Sequence, residues 1–146
     1  DCGFPGVETQ MPLMLTEVAA GRITLEHYVR ISSANPARAF GMWPEKGRIA
    51  VGSLADIAVV DTSREEVISS SRLHSRAKIT PFEGRKTIGA PMHTIVRGSF
   101  VQRDRQMIEG MAGHGRQVTD IQKMPAANPQ NVDQSLAEIL GGRDTT

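Results

Sequence analysis

The side chains here that could do hydrolytic or metal chemistry are four histidines, a single cysteine, a triple serine and the carboxylates. A hydrolytic metal site needs His, Cys, Asp or Glu ligands that converge on one point. His27, His74, His93 and His114 are scattered among different elements, with no H-x-H, H-E-x-x-H or C-x-x-C spacing. His27 reads as an exposed helical residue, His93 as structural, and His114, in G-H-G-R, as exposed in a glycine loop. His74 follows S-S-S-R-L in a loop and carries no assignment. Ser69-Ser70-Ser71 lacks the strand, elbow and helix that would expose a nucleophilic hydroxyl, and Cys2 has no base beside it in sequence. The residues by themselves therefore make no complete catalytic or metal site.

The elements that would position these groups fall into two parts. Val7, Met11, Met14, Leu15 and Val18 recur at helical spacing, with Thr9 as the N-cap, Pro12 in the first turn and Gly21 as the stop. A second helix starts at Thr24 and carries Leu25, Tyr28 and Val29 on one face. In S-S-A-N-P-A-R-A-F-G, Asn35 caps, Pro36 takes the first helical position and Gly41 ends a short third helix. Three short helices bury too little to stand alone, so this front needs cover from elsewhere.

After Trp43-Pro44 the period changes to that of strands. The candidates are 48–51, 57–60, 67–68, 87–88, 94–96 and 100–101, which suggests an antiparallel sheet or small sandwich. Residues 48–51 and 57–60 read as a hairpin turning at Gly52-Ser53-Leu54, with Asp56 and Asp61 pinning the ends of the second strand. Gly47 and Gly52 suit positive φ or close approach. Residues 113–131 read as a glycine- and proline-rich extended tail, and 132–140 as a last short helix with Leu136, Ile139 and Leu140 on its apolar face. No internal repeat is visible.

Lys and Arg number 17 against 16 Asp and Glu, a balance that argues against a polyanion-binding surface and hence against nucleic acid. With one cysteine there is no disulfide framework, and no apolar run reaches the roughly 18 residues that span a bilayer. No membrane partner and a cytoplasmic, reducing setting are the expectations. The chain opens on D-C-G-F-P-G without Met, which reads as a fragment, a processed chain or the remainder of something longer.

Five segments taken in order resemble the closing third of a cyclic amidohydrolase of the dihydroorotase, hydantoinase (dihydropyrimidinase) and allantoinase branch. They are G-F-P-G-V-E-T-Q-M-P-L-M-L-T at 3–16, S-S-A-N-P-A-R-A-F-G at 32–41 and K-G-R-I-A-V-G-S-L-A-D-I-A-V-V-D at 46–61. T-P-F-E-G at 80–84 and T-I-V-R-G at 94–98 complete the set. G-F-P-G-V-E-T is most similar to the dihydroorotase form.

The resemblance implies an α/β fold: residues 1–44 as the last helices and substrate loop of a TIM-type (β/α)8 barrel, 45–110 as a small antiparallel β-sandwich, and 111–146 as a tail. It implies hydrolysis of a cyclic amide or imide C–N bond by a metal-bound hydroxide, with an Asp shuttling the proton. The family's binuclear zinc ligands and catalytic Asp have no match here, and Asp1 lacks the motif around that Asp. The segment is thus expected to be inert alone, with a barrel of about 250 residues lying upstream. Backbone groups of Cys2 and Gly3 are the implied substrate contacts, Glu8 the anchor of its own helix N-terminus, and Phe82 a plug between barrel and sandwich. The implied partners are the rest of the barrel, a small cyclic amide and further copies of the chain. Two other readings stand beside this one: a homologue that has lost its metal site and serves as a scaffold, and a free-standing β-sandwich binding module.

Overall fold

The computed structural model describes residues 3–117. The tail beyond 117 and the helix expected at 132–140 lie outside the described residues, as do Asp1 and Cys2. Three helical segments precede an antiparallel sheet. α1 is Val7–Ala19, and α2 (Leu25–Val29) runs through a π turn (Arg30–Ala34) into α3 (Asn35–Ala39). The sheet is β1 (Ile57–Val67), β2 (Lys86–Val96), β3 (Ser99–Arg103) and β4 (Gln106–Met107), in the order β1-β2-β3-β4. Among the described residues it is one sheet rather than the two layers of a sandwich.

α1 begins one turn earlier than expected, because Gly6 and not Thr9 is the N-cap. Thr9 is buried within the helix and returns its hydroxyl to the Gly6 carbonyl at 3.1 Å. Pro12 therefore falls in the second turn, where it lacks an N–H for the helical ladder. At the far end Gly21 (φ 69°) turns the chain, with its N–H on Val18 O at 2.9 Å and Arg22 N–H on Glu17 O at 3.0 Å. This is a Schellman stop, as the glycine suggested.

α2 opens at Thr24, whose hydroxyl accepts the His27 N–H at 3.1 Å, and it buries Tyr28. Asn35 is the first residue of α3 rather than its cap: Ala34 before it is already helical, and Pro36 falls in the first turn. The chain stays helical from 25 to 39, and the π turn ends at Ala34, two residues before Pro36, the residue without an N–H to continue a regular ladder. Ser32 donates its hydroxyl to Tyr28 O at 2.8 Å within that turn. Gly41 closes the helix as expected, with Met42 N–H on Ala37 O at 2.7 Å.

The hairpin expected over 48–60 does not form. Residues 48–51 are not a strand, and Ile49 and Val51 are 85% and 98% exposed. The 57–60 run pairs instead with β2, Ile57 opposite Ile95 and Ala58 opposite Thr94. Buried Ile95 and Ala90 offered an apolar strand that the short 48–51 run could not match. Asp56 does pin the strand start: its carboxylate accepts Arg97 N–H at 2.7 Å and pairs with Lys46. Asp61 lies inside β1 at a register break, where it accepts Ser63 N–H at 2.9 Å.

Two tight hairpins finish the sheet, each with a two-residue loop whose residues both have positive φ: Arg97-Gly98 and Asp104-Arg105. Their left-handed residues have outside acceptors. Asp56 takes the Arg97 N–H, His93 Nδ1 takes Asp104 N–H at 3.0 Å, and Met92 O takes Arg105 N–H at 2.9 Å. His93 is structural, as read, and its ring meets Phe100 edge-on at 6.1 Å.

The cover missing from the helical front is partly supplied by the chain itself. α1 lies on β2, and Leu15 is buried there against Gly89. Thr16 links the two elements, donating to Pro12 O at 2.7 Å and accepting Ile88 N–H at 2.9 Å. α2 and α3 have no such cover. Leu25, Val29, Ile31 and Phe40 remain exposed, and a cavity of about 460 Å³ opens between these helices, the 46–49 segment and β1.

Candidate functional site

The implied substrate loop is residues 3–6. Gly3 (φ 83°) is exposed, with open space around it, and Pro5 leads into Gly6, whose carbonyl accepts Thr9 N–H at 3.2 Å and Gln10 N–H at 3.0 Å. The loop is thus continuous with the first turn of α1. Cys2, the other implied contact, lies outside the described residues.

A second loop, 68–85, meets it. This excursion between β1 and β2 has a closed neck: Ile68 N–H reaches Arg85 O and Gly84 N–H reaches Ile68 O, both at 2.9 Å. Glu83 accepts Ser70 N–H at 2.6 Å across the same neck. That bond holds the Glu83 carboxyl below its usual pKa, with the Ser70 hydroxyl adding to the effect.

The two loops touch at two points. Phe4 and Phe82 meet edge-on, their ring centroids 5.7 Å apart. Glu8 reaches across to His74 and Ser75, accepting the His74 backbone N–H at 2.8 Å, the His74 Nδ1 at 2.8 Å and Ser75 N–H at 3.2 Å. Partial burial pushes the Glu8 carboxyl up. The hydrogen bonds from His74 and Ser75 and the charge of His74 outweigh that, leaving its pKa lowered. Beside the contact lies an open cleft of about 480 Å³ bordered by Pro5, Val7, Glu8, His74, Gln102 and Met107.

Several expectations change here. Glu8 lies in the first turn of its own helix, as read, but makes no cap there; its carboxylate clamps a loop 66 residues away. Phe82 has a packing role as read, and its partner is Phe4. His74, which sequence reasoning left without a role, is half of the clamp. No local signal near His74 foretold this, although the motifs holding Phe4 and Phe82 both belonged to the family pattern. His27 is exposed, with its Nδ1 3.0 Å from Arg30, and His114 is half-buried, with Nε2 3.0 Å from Val96 O. Among the described residues no three His, Cys, Asp or Glu side chains converge as a metal ion requires, so the residues present do not fit a metal centre. No helix among them is long and apolar enough to cross a membrane.

The arrangement of helices and sheet is shared with solved hydantoinases. It superposes on the L-hydantoinase (dihydropyrimidinase) of Arthrobacter aurescens with a TM-score of 0.70 at 38% identity, over 73% of this chain and 24% of that one. In sequence, 117 residues are 42% identical to the D-hydantoinase of Geobacillus stearothermophilus, covering 80% of this chain and 25% of the relative. A D-phenylhydantoinase of Escherichia coli is 42% identical over 115 residues, 78% of this chain and 25% of its own. Residues 6–101 match the model of the amidohydrolase family, and the chain belongs to that family. It spans about a quarter of the length of the relatives it matches.

Proposed function

We propose that these residues are the closing segment of a hydantoinase-type cyclic amidohydrolase, an enzyme that opens a cyclic amide or imide by hydrolysing a ring C–N bond. What carries the reading is the 42% identity to D-hydantoinase and D-phenylhydantoinase. Those relatives favour a hydantoin or dihydropyrimidine ring over the dihydroorotate suggested by G-F-P-G-V-E-T.

In this reading residues 1–44 close a (β/α)8 barrel, 45–110 form its accessory sheet, and the exposed apolar face of α2 and α3 is the seam with the rest of the barrel. The metal pair, expected to be zinc, is held by residues outside this chain and would supply the hydroxide that attacks the ring carbonyl. This chain's contribution is positional. The backbone around Cys2 and Gly3 binds the ring amide, and loop 68–85 holds residues 3–6 in place. Copies of the complete enzyme assemble with one another.

The test uses the natural full-length protein that carries these residues. Incubated with 5-substituted hydantoins, dihydrouracil and dihydroorotate, it is expected to open the first two rings faster than the third. No opening of hydantoin or dihydrouracil would overturn the proposal, and preference for dihydroorotate would overturn its substrate assignment.

A further inference from the structure

We propose that Glu8 is a positioning residue for the substrate loop, acting through His74 and Ser75 of loop 68–85; the inference rests on the hydantoinase reading above. Glu8 is the second residue of α1, two positions after Gly6, so a force on its carboxylate acts on the end of loop 3–6. A carboxylate on an α-helix surface would ordinarily be solvated or paired within its own helix. This one instead takes two backbone N–H groups and a ring nitrogen from a single distant loop. Hydrogen bonds to a charged acceptor are stronger than neutral ones, and three converging on one carboxylate fix its direction as well as its distance.

The loop it grips is tied at its neck by the Ile68, Gly84 and Arg85 backbone bonds and by Glu83 on Ser70. The same loop supplies Phe82 to Phe4, the residue next to Gly3. Loop 68–85 therefore holds loop 3–6 at two points, by an aromatic edge at Phe4 and by the carboxylate clamp at Glu8 just past the loop's end. Neither contact lies in the hydrophobic core: the His74 side chain is 81% exposed and that of Glu8 is 36% exposed. Three hydrogen bonds at so open a site contribute little to folding and much to where a loop sits.

The geometry distinguishes the variants. Glu8→Ala removes all three acceptor contacts. Glu8→Gln keeps a carbonyl oxygen for the backbone N–H groups, and His74→Ala removes the ring contact alone, at a side chain too exposed to endanger folding.

In the natural full-length enzyme acting on a 5-substituted hydantoin, Glu8→Ala is expected to raise KM about tenfold with kcat within about twofold. Glu8→Gln and His74→Ala are expected to raise KM only a fewfold. Unchanged KM in Glu8→Ala would overturn the inference, as would a loss confined to kcat with a parallel fall in Tm. If Glu8→Ala does not fold, His74→Ala decides alone, a fewfold rise in KM supporting the inference and an unchanged KM overturning it. Absence of ring opening by the unaltered enzyme is a separate result and counts against the hydantoinase reading itself.

Discussion

Gly89 of β2 lies beneath Leu15 of α1, so near that a Cβ added to the glycine would stand 2.6 Å from the Leu15 Cβ. The glycine also has φ 98°, a conformation that side chains rarely adopt. The seat of α1 on the sheet thus depends on a missing side chain. Gly89→Ala combines left-handed strain with overpacking and is expected to cost about 3 kcal/mol or more. Gly52 has φ 87° with open space around it, so Gly52→Ala meets the strain alone and is expected to cost about 1 kcal/mol. Chemical denaturation of both variants checks the difference.

Asp56 joins the 46 segment to the β2–β3 hairpin through Lys46 and the Arg97 N–H. Asp56→Ala leaves the left-handed Arg97 without its acceptor and is expected to cost about 2–3 kcal/mol. Asp56→Asn keeps an oxygen for that N–H and is expected to lose about half as much by the same measurement.

The clamp at Glu8 gives stability a pH dependence whose sign follows from its lowered pKa. The folded state binds a proton less readily than the unfolded one, so the contribution is fully present above the ordinary value of 4.5 and is lost as pH falls through the lower folded value. Because the pair is solvent-exposed, the effect is small. Between about pH 5 and pH 3, Tm of the unaltered chain is expected to fall more steeply than that of Glu8→Ala. Equal slopes would mean the carboxylate makes no ionic contact in solution.

Ile49 and Val51 project from a segment that pairs with no strand among the described residues. The double change Ile49→Ser, Val51→Ser is expected to alter the stability of the isolated chain by no more than about 0.5 kcal/mol. In the full-length protein, where the rest of the barrel is expected to cover these two side chains along with the α2 and α3 face, the same change is expected to lower the yield of folded protein severalfold. Denaturation of the chain and soluble expression of the enzyme provide the comparison.

Local signals carried the helices well, and their limits are physical. Gly21 and Gly41 ended helices because the left-handed stop needs a glycine, and Thr24 capped because its hydroxyl can reach the His27 N–H. The cap at Asn35 failed because the preceding residues were already helical: the π turn at Arg30–Ala34 runs straight into α3, and Pro36 sits in the first turn of α3 without a break before it. The hairpin at 48–60 failed because strand pairing is decided by the partner. Ile57 found Ile95, 38 residues on, a choice invisible in the 46–61 segment. Gly3 could be marked from the family motif, whereas the grip of Glu8 on His74 joins residues 66 apart with no local pattern to announce it.

Replacing the matched quarter of the Geobacillus stearothermophilus D-hydantoinase with these residues, and measuring hydantoin ring opening, tests the central claim most directly. A chimera that folds and opens the ring within about tenfold of its parent, while the 146-residue chain alone opens none, is the expected result. A chimera that folds and binds its metal but is inactive, or ring opening by the isolated chain, would contradict it.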